Sequence, residues 1–274
     1  MFKEGGKMPH IQHNGKNIYY EVHGNGQPLV ILNGIMMSTL SWAMFLPELI
    51  KENQVILLDF FDQGASDKLD SSYDHATQVG VVEAVVNYLR LEKVNLFGIS
   101  YGGQIAMHFA IKNKHLVDKL LLFNTTSYTN PWLKEIGNSW KKAAALRDKE
   151  LFYQVTIPII YSPEFYTKNV QWMEDRKDFL YQVFADEFLD GIIRLIDSAE
   201  SHDIRAKLKE LDGIKVLIVG SEYDFITPDQ DQQYIHDEIS SSEFIVIKGC
   251  GHASMYEKPI QFLTLVKGFI VNSM

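Results

Sequence analysis

The pentapeptide GISYG at residues 98–102 constrains the fold more than any other part of the chain. It follows an apolar run at 94–98 and precedes a helical pattern of apolar residues that includes Ile105. A chain that passes so sharply from strand to helix admits only small residues two positions on either side of the serine. The turn lifts the serine hydroxyl out of the sheet toward a helix N-terminus, where free N–H groups favour a developing oxyanion. The segment therefore predicts a layered α/β fold in which Ser100 is a nucleophile.

Short apolar runs recur along the chain and predict eight β-strands. Residues 11–22 form two of them, joined at Asn14-Gly15, a dipeptide that supplies the positive φ angles of a tight hairpin turn. The other runs lack polar alternation, which is typical of parallel strands buried on both faces. Helical patterns between them, such as residues 77–89, indicate βαβ repetition. The other predicted strands are 28–33, 55–60, 94–98, 119–124, 215–220 and 244–248, and the other helices of this part are 230–239 and 259–272.

The strand signal disappears between residues 125 and 212, where five helical patterns follow one another. A helical block inserted between two strands of a sheet is expected to form a cap. We therefore predict a core in two parts, 10–124 and 213–274, with a helical cap at 125–212 between them. The predicted cap helices are 132–147, 149–156, 166–184, 189–199 and 204–211.

A nucleophilic serine needs a base, and the base needs an acidic partner that fixes its tautomer. Asp224 lies in a loop beyond the apolar run at 215–220, and we predict it to be the acid because ligand chemistry gathers at the carboxyl ends of parallel strands. Glu222 and Asp229 remain weaker candidates. His252 follows the last strand in the segment GCGHAS, whose glycines allow a close approach to the serine, and we predict it to be the base. Serine, acid and histidine then follow in the order expected after a strand-to-helix serine.

An oxyanion produced at the serine needs two N–H donors. The backbone N–H of Tyr101 supplies one, at the start of the helix. The segment NGIM at 33–36 follows the third predicted strand, and the N–H of Ile35 is aimed at the same point. We therefore predict an oxyanion hole made by the backbone of Ile35 and Tyr101.

The overall composition narrows the class of partner. With Lys+Arg 26 and Asp+Glu 35, the net charge of −9 offers no basic field for nucleic acid or for an anionic membrane. The single cysteine, Cys250, leaves no internal disulfide and no cysteine cluster for a metal, and we expect it to be a buried, inert thiol. No apolar run approaches the ~20 residues that span a bilayer. We expect a cytoplasmic monomer or homodimer without membrane insertion, which needs neither a metal nor an organic cofactor.

Taken in order, these segments resemble the α/β-hydrolase superfamily over nearly the whole chain. The serine turn, the Asn-Gly loop, DFFDQGAS at 59–66, SEYDFITP at 221–228 and GCGHAS at 249–254 carry the likeness. The resemblance is closest to small bacterial esterases and lactonases with a helical cap, either 3-oxoadipate enol-lactonase-like or cofactor-free haloperoxidase-like. It implies an eight-stranded, mostly parallel sheet flanked by helices, with the second strand antiparallel and an all-helical cap after strand six.

The chain departs from that family in two places. Asn33-Gly34 stands where relatives usually have His-Gly, a change that a backbone donor tolerates. The segment 59–66 is more apolar and more acidic than in relatives, which often carry an arginine and an additional glycine there. We expect this loop to influence the pocket.

These residues predict a serine hydrolase that cleaves an ester, lactone or thioester bond through an acyl-enzyme on Ser100. Because the predicted cap is rich in aromatic residues and methionines lie near the oxyanion loop, we expect a small, largely apolar substrate. No Arg or Lys can be assigned as a clamp, which weakens a dicarboxylate substrate without excluding it. A C–C bond hydrolase or a perhydrolase with the same triad stays open, as does a small-molecule receptor that reuses the fold. The residues expected to line the pocket are Asn33, Gly34, Met36, Trp132, Phe152, Phe165 and Trp172.

Overall fold

The computed structural model describes residues 9–270, and one eight-stranded sheet runs through its centre in the order β1-β2-β4-β3-β5-β6-β7-β8. Strand β2 is antiparallel to β1 and β4, and every other neighbouring pair is parallel. The predicted number of strands and the antiparallel second strand are therefore confirmed. The strands are β1 His10–His13, β2 Lys16–His23, β3 Gln27–Leu32, β4 Asn53–Leu58, β5 Val94–Ile99, β6 Val117–Phe123, β7 Lys215–Ser221 and β8 Ser242–Ile247.

The turn between β1 and β2 has the geometry that its sequence predicts. Asn14 and Gly15 have φ angles of 51° and 76°, the left-handed region that a two-residue hairpin turn requires. The pairing of Ile11 with Ile18 across this turn places both side chains in the core. The hairpin therefore closes one end of the sheet with an antiparallel edge.

Helices cover both faces of the sheet because the central strands alternate their apolar side chains between two buried clusters. Leu96 and Leu120 lie in one cluster, which contains α2 and α3 residues and most buried side chains of the cap. Phe97 and Phe123 lie in the other, where their rings contact Phe262. The helices are α1 Leu46–Leu49, α2 His75–Tyr88, α3 Tyr101–Lys112, α4 Pro131–Ala145, α5 Lys149–Thr156, α6 Pro163–Lys168, α7 Val170–Val183, α8 Asp186–Ser198, α9 Asp229–Glu238, α10 Ser254–Glu257 and α11 Pro259–Ile270.

Helices α4 to α8, hereafter the cap, lie between β6 and β7, as predicted. Two details of the prediction are wrong. The single helix expected at 166–184 is two helices, because the chain leaves helical geometry at Asn169, where φ is −120° and ψ is 39°. The helix expected at 204–211 is a 3-10 helix, Arg205–Leu211. The last two residues of the helix expected at 259–272 lie outside the described residues.

The parallel strands place their carboxyl ends along one edge of the sheet, beneath the cap. The loops after β3, β5, β7 and β8 all leave from this edge, and they carry the residues selected from the sequence. Between residues 9 and 270, none of the helices has the length and apolar character needed to cross a membrane.

Candidate active site

The turn between β5 and α3 holds Ser100 in a conformation that few residues other than glycine adopt, with φ of 53° and ψ of −120°. Its glycines are required by close contacts between backbones. A Cβ on Gly98 would collide with the carbonyl of Gly102, and one on Gly102 would collide with the carbonyl of Leu32. The Ser100 N–H donates to the Phe123 carbonyl oxygen at 2.8 Å, which joins the turn to the neighbouring strand. The turn is therefore rigid, and its strain is confined to the serine.

Three side chains from three loops meet at this turn. His252 Nε2 lies 2.9 Å from Ser100 Oγ, and His252 Nδ1 lies 2.7 Å from Asp224 Oδ2. A carboxylate only accepts hydrogen bonds, so Nδ1 carries the proton and Nε2 presents its lone pair to the serine hydroxyl. The three residues predicted from the sequence thus form a continuous hydrogen-bonded chain with the geometry of a Ser-His-Asp triad.

Asp224 is buried, and its carboxylate is fully hydrogen-bonded. Oδ1 accepts from the N–H groups of Ile226 and Thr227, both at 2.9 Å, and Oδ2 accepts from Asn124 Nδ2 at 2.9 Å and Thr227 Oγ1 at 3.0 Å. Burial by itself raises the pKa of Asp224, but the charge of His252 and these hydrogen bonds outweigh it and hold the pKa below its ordinary value. Asp224 is therefore ionised and fixed in place.

The weaker candidates for the acid lie elsewhere. Glu222 accepts from the N–H of Gly249 at 2.8 Å and from Lys248 Nζ at 3.3 Å, so its carboxylate is on the outside of the histidine loop. Asp229 is the first residue of α9. The sulfur of Cys250 is buried, and burial raises the pKa of this thiol to about 12, which makes it a poor nucleophile.

The loop after β3 approaches the nucleophile closely. A Cβ placed on Gly34 would lie 3.2 Å from Met37 Sδ and 3.6 Å from the Ser100 Cβ, so Gly34 lies beside the nucleophile. Ile35 and Tyr101, the predicted oxyanion donors, both line the cavity above Ser100. Tyr101 is the first residue of α3, so its N–H has no acceptor within the helix.

A buried glutamine that the sequence analysis did not select supports this loop. Gln63 Nε2 donates to the carbonyl oxygens of Gly34 at 2.8 Å and Ile35 at 3.3 Å. Its Oε1 accepts from Asn33 Nδ2 at 3.3 Å. Gln63 therefore sets the direction of the peptide that carries the Ile35 N–H. Gln63 lies in DFFDQGAS, the segment that departs from relatives, and this departure is the sequence signal that could have identified it.

The same segment attaches the core to the cap. The Asp62 carboxylate is buried, and its Oδ1 accepts from Arg194 Nη2 of α8 at 2.6 Å and from the N–H of Leu69 at 3.1 Å. Asp59 accepts from the N–H groups of Thr39 and Ala65 at 2.7 and 2.9 Å. The carboxylates of this loop therefore bind it to other segments of the chain. None of the residues 59–66 lines the cavity.

A cavity of about 190 Å³ lies between the triad and the cap. Gly34 and Met36 line it, as predicted, together with Ile35 and Tyr101. Its other walls are mostly apolar and come from α4, from the segment after α5, from the loop that carries Asp224, and from the histidine loop with α10. Lining side chains from these parts include Leu133, Ile136, Trp140, Ile157, Ile160, Tyr161, Ile226, Met255 and Tyr256.

Five residues predicted to line the pocket do not line this cavity. Asn33 turns away from it, because its amide is bonded to the Leu58 carbonyl and to the indole N–H of Trp42. Trp132 is 56% exposed and donates from Nε1 to the Phe225 carbonyl at 2.6 Å. The remaining three pack among other aromatic rings: Phe152 on Phe184, and Phe165 on Trp172.

Arg176 of α7 does line the cavity, although no cation was assigned from the sequence. Its guanidinium carbon lies 4.4 Å from the ring centroid of Tyr256 and 5.3 Å from that of Trp172. Its buried Nε has no hydrogen-bond partner within residues 9–270. The stacked rings hold the guanidinium in place, so it offers donors to a bound molecule.

The cap is bonded directly to the loop that carries His252. The buried Glu257 accepts from Ser162 N and Oγ at 2.8 and 2.6 Å, and also from the N–H of Gly251 at 3.1 Å. The N–H of Ala253 donates to the Ile160 carbonyl at 3.0 Å. Movement of this part of the cap would therefore be transmitted to the catalytic histidine.

Comparison with known proteins agrees with this architecture. The model of the alpha/beta hydrolase fold family matches residues 27–259. In structure, the chain is similar to MGS-M2, an alpha/beta hydrolase enzyme from a Medee basin deep-sea metagenome library. The TM-score is 0.94 and the sequences are 40% identical over 97% of this chain and 98% of that one.

Two curated relatives are more distant. The soluble epoxide hydrolase of Corynebacterium sp. strain C12 is 31% identical over 140 residues, which cover 51% of this chain and 48% of the relative. The 2-hydroxymuconate semialdehyde hydrolase of Pseudomonas sp. strain CF600 is 24% identical over 91% of this chain and 89% of its own length. The relatives thus act on different bonds, and they do not by themselves fix the substrate.

Proposed function

Because this chain belongs to the alpha/beta hydrolase fold family, we propose that it is a serine hydrolase of carboxylic esters, acting through an acyl-enzyme on Ser100. Ester, lactone and thioester bonds share this chemistry. The observation that carries the proposal is the hydrogen-bonded chain from Ser100 through His252 to Asp224. Its open end faces an apolar cavity large enough for a small acyl group.

In the proposed mechanism, Ser100 Oγ attacks the carbonyl carbon of the substrate while His252 Nε2 takes the hydroxyl proton. Asp224 stabilises the imidazolium that forms, and its hydrogen bonds keep it ionised throughout. His252 then gives the proton to the leaving oxygen or sulfur, and the C–O or C–S bond breaks. Water, deprotonated by His252, attacks the acyl-enzyme, and the acid is released as Ser100 regains its proton.

Two backbone N–H groups stabilise the negative charge that develops on the carbonyl oxygen, those of Ile35 and Tyr101. Each such donor is worth on the order of 10²–10³ in rate when it is aimed at the oxyanion before the reaction begins. Gln63 holds the Ile35 peptide in that orientation through the carbonyls before and after its N–H. We therefore assign Gln63 as a positioning residue.

The shape and polarity of the cavity indicate the substrate class. Its walls are aliphatic and aromatic near Ser100, which favours an aliphatic acyl group. Arg176 lines the wall formed by the cap, as do Lys134 and Lys141, so a substrate with a polar or anionic group away from the scissile bond also fits. A small and largely apolar substrate remains the proposal.

Hydrolysis of p-nitrophenyl esters from acetate to decanoate, measured for the wild type and Ser100→Ala, tests this function. We expect turnover that falls by at least about 10⁴-fold in the variant at every chain length, because the nucleophile is absent. A short-chain optimum is expected from the size of the cavity. Ser71→Ala is a suitable control, because Ser71 is an exposed residue in the loop before α2 and does not line the cavity.

Equal activity in Ser100→Ala and the wild type would exclude the serine mechanism. If a folded wild type hydrolyses none of these esters, the carboxylic ester proposal fails. C–C bond cleavage or a receptor role would then be the alternatives, and ligand retention without turnover would favour the receptor.

A further inference from the structure

Three histidines from separate parts of the fold meet behind the serine turn. His75 is the first residue of α2, His108 lies in α3, and His202 follows α8 where the chain leaves the cap. Their ring centroids are 4.9 to 5.3 Å apart. One nitrogen from each ring lies within 4.8 Å of the other two. The triad does not use these side chains.

His75 is the member of the cluster whose ring nitrogens have no other partner in the described part of the chain. Its side chain is 4% exposed, and both of its ring nitrogens lack a hydrogen-bond partner among residues 9–270. A buried polar group without a partner costs about 1–3 kcal/mol. A neutral imidazole has one donor nitrogen and one acceptor nitrogen, so the buried ring of His75 needs a partner for its nitrogens.

His202 and His108 already have the arrangement of metal-binding imidazoles. His202 Nε2 lies 3.0 Å from the Thr126 carbonyl, which only accepts, so this nitrogen carries the proton. The lone pair of His202 is then on Nδ1, which accepts a hydrogen bond from His108 Nε2 at 3.1 Å; a metal ion would take the place of this proton, with His108 in its other tautomer. A hydrogen bond from the far nitrogen to a carbonyl is the usual support of a histidine ligand. Two nitrogens bound tetrahedrally to zinc lie about 3.3 Å apart, close to this separation.

The three imidazoles are in the protonation state that binds a metal. Burial lowers the pKa values of His75, His108 and His202, the last to about 4, so the rings are neutral. The nearby charges are of both signs: Lys207 lowers the pKa of His108, while Asp74 raises it and Asp203 raises that of His202. The two carboxylates would offset part of the charge of a divalent ion.

We propose that His75, His108 and His202 bind one Zn²⁺ ion, with a water molecule as the fourth ligand. Three neutral imidazoles suit zinc among the common divalent ions. The site joins α2 and α3 of the core to the segment that ends the cap. It is separate from the catalytic centre. The ring of His75 contacts that of Tyr101, the residue after the nucleophile, with 5.1 Å between the two ring centroids.

Metal analysis of the full chain tests the site. The protein, freed of any affinity tag, is incubated with Zn²⁺, dialysed, and assayed for zinc by plasma mass spectrometry alongside its Tm. We expect about one zinc per chain and a Tm raised on the order of 5 °C relative to protein treated with chelator. In His75→Ala both effects should disappear, while His252→Ala and His115→Ala should keep them.

His252→Ala tests zinc binding at the triad, and His115→Ala tests an exposed histidine that lies in a 3-10 helix outside the cluster. His108→Gln provides a second loss-of-ligand variant if His75→Ala fails to fold. Co²⁺ in place of Zn²⁺ should give the visible absorption of a tetrahedral ion in the wild type and lose it in either ligand variant.

The site is disproved if the wild type retains no zinc and shows no rise in Tm with Zn²⁺. It is equally disproved if His75→Ala and His108→Gln bind zinc as the wild type does, or if His252→Ala alone abolishes binding. None of these outcomes depends on ester hydrolysis, so failure here leaves the proposed function untouched.

Discussion

The floor and the roof of the cavity are built on different principles. On the floor, the Asp224 carboxylate accepts hydrogen bonds from two backbone N–H groups and three side chains. On the roof, formed by the cap, the walls are apolar, and the buried Trp140 Nε1 and Arg176 Nε have no hydrogen-bond partner in the described part of the chain. The carboxylate that fixes the catalytic histidine is therefore satisfied before substrate binds, whereas these two groups of the roof are not.

This difference separates the groups that stabilise the transition state from the groups that select the substrate. Groups that stabilise a transition state act best when they are already oriented, which requires hydrogen bonds that hold them. Groups that select a substrate can find their hydrogen-bond partners in the substrate itself. Substitutions on the floor should therefore lower kcat, and substitutions on the roof should change which ester is preferred.

The largest effect is expected for Asp224→Asn. An amide at this position favours the wrong tautomer of His252, and kcat should fall about 10⁴-fold with little change in Tm or KM. Steady-state kinetics on the preferred p-nitrophenyl ester measures this. Asp229→Asn, in the neighbouring helix, is the matched control and should behave as the wild type. Retention of a tenth of the wild-type kcat by Asp224→Asn would remove Asp224 from the mechanism.

Gln63→Met tests whether the floor depends on residues that never touch the substrate. Loss of the donors to Gly34 and Ile35 should let the oxyanion peptide rotate, lowering kcat about 10- to 100-fold while KM stays nearly constant. The control is Gln78→Met, since Gln78 is also buried and holds the same loop through Phe61, without touching Gly34 or Ile35. Equal losses of kcat in the two variants would mean that general destabilisation of the loop is the cause.

On the roof, Trp140→Leu should enlarge the cavity and shift the preferred acyl chain toward longer esters. The ratio of kcat/KM for long over short esters should rise about tenfold, as expected when a pocket wall is cut back by several carbon atoms. The series from acetate to decanoate measures it. Trp132→Leu removes an exposed indole that does not line the cavity, and its chain-length profile should match the wild type. An unchanged profile in Trp140→Leu would mean that the acyl chain occupies another part of the cavity.

The smallest effect is expected at the boundary between floor and roof. Asp231 lies beside Asn130, the N-cap of the first cap helix, and burial raises the pKa of Asp231 from its ordinary 3.8 to about 6. The Asp231 carboxyl group therefore loses its proton at lower pH in the unfolded chain than in the folded chain. The free energy of unfolding falls as the pH rises from 3.8 to about 6. Asp231→Asn should remove this component of the pH dependence.

Denaturant unfolding of the wild type and Asp231→Asn at pH values on both sides of this range measures the effect. The free energy of unfolding of the variant relative to the wild type should increase with pH. Asp237→Asn, an exposed position on the same helix, serves as the control. A constant difference between the wild type and Asp231→Asn across the range would show that Asp231 titrates normally.

The sequence by itself determined the fold and the triad. Buried parallel strands need continuous apolar runs, and glycines at the β5–α3 turn are required by backbone contacts, so both leave a local pattern. Ser100, Asp224 and His252 each follow a strand directly, and the carboxyl ends of parallel strands meet at one edge. Their proximity therefore follows from their position along the chain.

Only the tertiary structure decided which cap residues face the substrate. A tryptophan on an amphipathic helix has the same local signature whether its face meets a cavity, another helix or solvent. Trp140 lines the cavity while Trp132, on the same helix, is exposed, and Phe165 and Trp172 pack on each other. Gln63, Arg176 and the three clustered histidines likewise acquire their surroundings from segments far away in the chain. Their surroundings are set by how the helices pack on the sheet, because side-chain contacts across the core carry no periodic signal in the sequence.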